Sequence, residues 1–218
     1  MIHEDSLTLE YLNAMNYGVV TILGSGKTFK SGTMYSLFEE VPSLKKRKKA
    51  FLNFAGLEYF PKDYGYYIDN VWDCEPDSIL VIEDVNRLFP SRTSSKSEDL
   101  QRFIGVISHK DIVIFLTTQN TANVDMVFFR DQDNFTIHKY MNPTSIAYER
   151  PETASFCDMT NAMIYDTSYK LEVDWHYVSY VPMFYECLVL EDVPSYYGYE
   201  ISHALRYYDP RVKEAVHG

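Results

Sequence analysis

The stretch Thr21–Gly32, TILGSGKTFKSG, holds two lysine-hydroxyl pairs three residues apart, Lys27-Thr28 and Lys30-Ser31, in a glycine-rich setting. Phosphate loops follow the pattern G-x-x-x-x-G-K-[ST]. Their glycines let backbone N–H groups point into a concave nest, the lysine reaches the outer phosphates, and the hydroxyl serves a magnesium ion. Set on Lys27-Thr28, the pattern finds Gly26 in place, but Thr21 replaces its first glycine and Ile22 and Leu23 fall inside the loop. Set on Lys30-Ser31, its first glycine is Gly24, where the apolar run YGVVTILG (17–24) ends, and only the penultimate glycine fails, being Phe29. The helix expected next, KSGTMYSLFEEV, then carries Met34, Leu37, Phe38 and Val41 on one face, and Pro42 is expected to stop it. Strand length and helical face favour Lys30-Ser31, with Lys27-Thr28 as the alternative. Either way Gly24, Ser25, Gly26, Lys27, Thr28, Phe29, Lys30, Ser31 and Gly32 are the candidate nucleotide-binding residues.

Outward from the loop, the basic run KKRKK (45–49) reads as a solvated lead into a second strand, AFLNFAG, in preference to a nucleic-acid patch. The segment FPKDYGYYIDNVWDCEPD is polar and aromatic, and SILVIED is an apolar strand ending in Glu83 and Asp84. A loop, TSSKSED, precedes an expected helix, LQRFIGVISHK, and DIVIFLTTQN is a further apolar strand with polar residues at its end. Four strands alternating with helical patterns imply a mainly parallel sheet with crossover helices, and ligands of such sheets sit at the carboxyl ends of the strands. All three polar clusters fall at such ends. Beyond about residue 143 the pattern changes to strand-like composition and a short terminal helix, YYGYEISHALRYYD, with ten of the 19 tyrosines after residue 160.

Composition narrows the classes. The 218 residues suit one α/β core with an appendage, expected at 1–142 and 143–218. No run approaches the roughly 18 apolar residues of a membrane span, and the N-terminus lacks the order of a signal peptide, so a soluble intracellular chain is expected. Cys74, Cys157 and Cys187 are odd in number and widely spaced, as reduced buried thiols are. Of the net charge of −11, residues 1–150 carry −4 (16 Lys and Arg against 20 Asp and Glu) and residues 151–218 carry −7 (4 against 11). That argues against broad wrapping of nucleic acid but leaves room for a ring with a basic pore.

In ILVIED the first acid, Glu83, can hold the magnesium shell with Ser31, and the second, Asp84, can activate the attacking water. The usual order, Asp then Glu, is reversed. Gln119 stands in the polar end of DIVIFLTTQN.

With these motifs in order, the chain resembles the HerA/FtsK superfamily of P-loop motor ATPases. TILGSGKTFKSG, LVIEDVNRLFPSR and DIVIFLTTQNTANVDMVFFRDQDNF carry the resemblance over roughly residues 17–140. The second stretch resembles the Walker B segment of zonula-occludens-toxin-like phage proteins, and size and layout are similar to the genome-packaging ATPases of double jelly-roll capsid viruses. The resemblance implies a P-loop NTPase fold of the RecA-like kind with a β-rich C-terminal extension, and a parallel sheet in which the Gln119 strand lies between the loop strand and the acid strand. It also implies that Gln119 senses the γ-phosphate. It implies ATP and Mg²⁺, double-stranded DNA translocated without sequence specificity, and a homo-oligomeric ring, a hexamer, at the virion packaging vertex or in the host cytoplasm. An Arg from a neighbouring subunit would complete the site: Arg130 first, with Arg92, Arg102 and Arg87 as alternatives. Two other functions stay open: a phage assembly or secretion ATPase, and a nucleotide-binding subunit without hydrolysis.

Overall fold

The computed structural model describes residues 6–24, 26, 28–54, 56–90, 94–120, 124–125, 127–130, 134–139, 159–174, 177–189 and 193–204. Eight strands form one sheet: β1 Gly18–Leu23, β2 Lys48–Leu52, β3 Gly65–Ile68, β4 Ser78–Ile82, β5 Val113–Thr118, β6 Asn134–Lys139, β7 Met159–Asp174 and β8 Tyr177–Val189. Their spatial order is β3-β2-β4-β5-β1-β6-β7-β8. The first six positions in that order pair in parallel, and β7 and β8 add an antiparallel pair beside β6. As the motif order implied, β5 lies between β1 and β4.

The inner strands are continuously buried because both faces are covered, so they read as apolar runs. Successive side chains still part to opposite faces. Val20 and Ile22 of β1, Val81 of β4 and Phe115 of β5 join Met34, Leu37 and Phe38 of the helix α2 (Lys30–Glu40). Val19, Ile82, Ile114 and Leu116 instead meet Leu100, Phe103 and Ile104 of α4 (Ser94–Ile104), Ile107 of α5 (Ile107–Lys110) and Phe128 of α6 (Val127–Arg130). On the α2 side, α1 (Leu7–Ala14) is capped by Ser6, whose hydroxyl accepts from the Leu9 amide at 3.2 Å.

Several expectations need correction. Pro42 does not simply stop α2: it opens a second short helix, α3 (Pro42–Lys46), at the position where its missing N–H has no cost. The expected helix at LQRFIGVISHK begins earlier, at Ser94, and breaks at Gly105 into α4 and α5. The basic run is partly inside the fold: Lys49 is buried in β2, its ammonium donating to the Lys45 carbonyl at 2.9 Å and lying over the Phe38 and Tyr64 rings. Two strands had no clear sequence signal. β3, GYYI, is an edge strand paired among the described residues only with β2, and β6 is a short alternating segment, NFTIHK. The extension is β-rich, through β7 and β8, and its residues 193–204, which include α7 (Tyr199–Ser202), pack on the α2 side. Among the described residues, no helix is long and apolar enough to cross a membrane. Cys74 is a buried free thiol; the Cys157 and Cys187 side chains lie outside the description.

Candidate phosphate-binding site

Because six strands run parallel, the carboxyl ends of β1, β4, β5 and β6 open on one edge of the sheet. β1 ends at Leu23, so the loop begins at Gly24, whose amide donates to the Thr118 carbonyl at the end of β5 at 3.2 Å. A methyl group on Gly24 would stand 2.6 Å from the Thr28 hydroxyl and 2.9 Å from the Lys139 carbonyl oxygen, so the close approach of loop and β6 requires glycine. Opposite Gly26 lies the Gln119 amide, 3.8–3.9 Å from where a β-carbon would be. Ser25 and Lys27 lie outside the described residues.

At the last loop position Phe29 adopts φ 66° and ψ 32°, the left-handed region in which glycine is usual. The loop therefore keeps the backbone turn of a glycine while carrying a ring. That ring lies over Gly32, where an added β-carbon would meet it at 2.3 Å, and edge-on to Tyr197, with centroids 5.4 Å apart. Lys30 follows as the first residue of α2 and is buried. The helix has no side-chain cap; the Phe29 carbonyl accepts from the amide and hydroxyl of Thr33 at 3.0 and 3.2 Å.

At the end of β4 Glu83 is buried against α2. Ser31 Oγ donates to its Oε2 at 2.9 Å, and the Tyr35 hydroxyl donates to Oε1. Ser31 and Tyr35 are one helical turn apart, so one face of α2 grips both carboxylate oxygens. Burial pushes the Glu83 carboxyl up to about 7, the two hydroxyls and the Arg87 charge pulling the other way and Asp84 adding to the rise. Burial and the Glu83 carboxylate together raise the Tyr35 phenol well above its usual range. Asp84 turns the chain at φ 48°, its amide donating to Thr117 Oγ1 of β5 at 2.9 Å, and its side chain is only half-buried. The two neighbouring acids thus face different surroundings.

Thr28 and Ser31 also differ. Thr28 is buried behind the Gly24 turn, whereas Ser31 touches the acid. The structure thus brings together Gly24, Gly26, Thr28, Phe29, Lys30, Ser31, Gly32, Glu83, Asp84 and Gln119. Of the arginines, Arg87 is held within its own chain, Nη2 donating to the Asn53 carbonyl at 3.2 Å. Arg102 is on the surface near Glu98 and Asp99, at 3.8 and 3.9 Å. Arg130 closes α6, its side chain lying outside the description, as does all of Arg92. Sequence reading missed Tyr35 and Tyr197, and gave Thr117 no role beyond its place in the polar strand end. The four-residue spacing of Ser31 and Tyr35 could have found the first; nothing local marks Tyr197.

The donor set suits magnesium. It is all oxygen, one hydroxyl and one carboxylate beside a phosphate loop, and magnesium commonly takes one or two protein oxygens and completes its shell with phosphates and water.

No family model and no curated protein matches this chain. Among solved structures, it is similar to the N-terminal domain of zonular occludens toxin from Neisseria meningitidis, at TM-score 0.50 and 16% identity, over 78% of this chain and 95% of that one. Also matched are the genome packaging NTPase B204 from Sulfolobus turreted icosahedral virus 2 in complex with AMPPCP (TM-score 0.47, 13% identity, 70% and 94% covered) and B204, the DNA-packaging ATPase from Sulfolobus Turreted Icosahedral Virus (0.46, 15%, 71% and 95%). The likeness to the toxin domain concerns the fold, and the fold is that of a P-loop NTPase: a parallel sheet between helical layers, with the loop strand, the polar strand end and the acid strand side by side.

Proposed function

We propose that this chain is an ATPase that drives double-stranded DNA into a viral capsid as a homo-oligomeric ring. The observation that carries the nucleotide site is the contact between Ser31 and Glu83: the hydroxyl after Lys30 and the first strand-end acid meet at 2.9 Å beside a loop that requires glycine at its first position. In this reading Lys30 and the loop amides hold the phosphates of ATP. Ser31 and Glu83 hold Mg²⁺, which neutralises charge on the phosphate oxygens. Asp84, half-buried and one residue beyond Glu83, takes the proton of the attacking water as the bond to the γ-phosphorus forms and ADP leaves. Gln119, whose amide lies against Gly26, senses the γ-phosphate. Arg130 of a neighbouring subunit stabilises the transition state. The DNA is gripped through its phosphates, without base readout.

The test is ATP turnover with and without double-stranded DNA. Lys30→Ala is expected to abolish DNA-stimulated turnover and Lys27→Ala to retain it; the reverse pattern overturns the assignment of the loop. Turnover indifferent to DNA would turn the reading to an assembly or secretion ATPase. Nucleotide binding without turnover would turn it to a non-hydrolysing subunit.

A further inference from the structure

Glu83 is held on both oxygens, and the second hold belongs to no motif. Tyr35 is fully buried, yet its hydroxyl reaches Oε1 of Glu83 while Ser31 occupies Oε2. A carboxylate gripped on one oxygen can still turn about its last torsion and exchange the two; gripped on both, it keeps one fixed face. The ring that carries the Tyr35 hydroxyl is itself fixed. Phe60 packs against it at 5.1 Å between centroids, Phe38 at 6.0 Å and Tyr197 at 5.5 Å. Tyr197 comes from the chain's last described segment, and the same ring braces Phe29 at 5.4 Å. One aromatic residue from the tail therefore touches both the loop's last residue and the residue that orients the acid.

We propose that Tyr35 is a positioning residue of the nucleotide site, fixing the Glu83 carboxylate so that Oε2 serves the metal ion, and that Tyr197 holds Tyr35 in that pose. This rests on the nucleotide reading above. Tyr35 touches neither nucleotide nor reacting atoms; it acts through Glu83. A merely structural Tyr35, present only because a buried carboxylate needs donors, would affect nucleotide affinity equally with and without metal. A positioning Tyr35 acts on the metal-dependent part alone.

The experiment compares the affinity of a fluorescent ADP analogue in excess magnesium chloride with that in EDTA, alongside thermal unfolding. Tyr35→Phe keeps the ring and removes the hydroxyl. It should leave the EDTA affinity unchanged and lower the gain from magnesium by about tenfold, the scale seen when a partner that orients a metal ligand is lost. Tyr197→Ala should lower the gain in the same direction, and Tyr197→Phe should restore it. A wild-type magnesium gain in Tyr35→Phe, or equal losses in both buffers, overturns the proposal. Should Tyr35→Phe not fold, Tyr197→Ala decides, and an unchanged gain there overturns it as well. The outcomes separate the two levels: if wild type binds nucleotide, Lys30→Ala abolishes binding and Tyr35→Phe keeps the magnesium gain, only this proposal falls. If wild type binds no nucleotide in either buffer, both readings fall.

Discussion

Phe29 stands where its backbone conformation favours glycine, and its ring fills the space above Gly32. Two variants separate these contributions. Phe29→Gly gives up the ring but relieves the left-handed strain, whereas Phe29→Ala gives up the ring and keeps the strain, so the alanine variant should be less stable than the glycine variant by about 1 kcal/mol. Gly32→Ala should cost about 1–3 kcal/mol in the wild-type loop by overpacking against the ring. In the Phe29→Gly background the same change should be neutral or stabilising, because alanine suits a helix and the ring it would meet is gone. Denaturant melts of wild type and the four variants read out both expectations. Cys74 offers a simpler check. Burial pushes its thiol up to about 12, so it should resist alkylation at pH 8 in the native protein and react on unfolding, as peptide mapping would show. The sign for stability follows: the folded thiol holds its proton more tightly than the unfolded one, so this group's contribution falls as pH rises past the ordinary thiol value.

At the scale of elements, the junction of α2, β2 and the tail is held by polar groups inside an aromatic wall. The Tyr196 hydroxyl donates to Glu39 Oε1 at 3.1 Å and accepts from the Tyr64 hydroxyl at 2.7 Å, and Lys45 pairs with Glu39 Oε2 at 3.1 Å. Tyr196→Phe leaves Glu39 and Tyr64 each short of a partner and should cost about 1–3 kcal/mol in chemical denaturation. Beside them, burial lowers the Lys49 ammonium against the opposing pull of Glu39. Between its folded value and its ordinary one the unfolded chain binds the extra proton, so this lysine's contribution to stability rises with pH. Wild type should therefore gain on Lys49→Met as the pH of the melts is raised from neutrality toward the ordinary lysine value.

These elements also show what the sequence could reveal. β1, β4 and β5 were legible because each is an apolar run ending abruptly in the polar residues of the site. The choice of Lys30-Ser31 over Lys27-Thr28 came from where β1 could end, and β1 ends at Leu23. β3 stayed hidden because an edge strand paired on one side needs no apolar run. Tyr35 was hidden differently: on an apolar helix face a tyrosine reads as core, and its hydroxyl partner lies 48 residues away. Tyr196 and Tyr197 reach back over still longer separations, 157 residues to Glu39 in the first case, which no local pattern encodes.

At the scale of the whole molecule, the proposed ring makes a site depend on two chains. Arg130→Ala should lower ATP turnover by roughly 10³-fold or more if the arginine acts as a finger on the transition state. Mixing Arg130→Ala subunits with Lys30→Ala subunits, each inactive alone, should restore turnover, because some interfaces then pair an intact loop with an intact arginine. No recovery would place the arginine in its own subunit's site or outside the site altogether.

The strand between the loop and the acids has a temporal consequence. β5 is last of the three in the chain but central in the sheet, hydrogen-bonded to β1 on one side and to β4 on the other. A nascent chain that has reached Ile82 already contains the phosphate loop and the strand before the acids, yet has nothing to join them. Only when Val113–Thr118 emerges and slots between them do these parts come to face one another. Such non-local insertion makes folding slow relative to helical chains. Nucleotide capture during synthesis should begin abruptly once β5 has left the ribosome, with no weaker precursor before it.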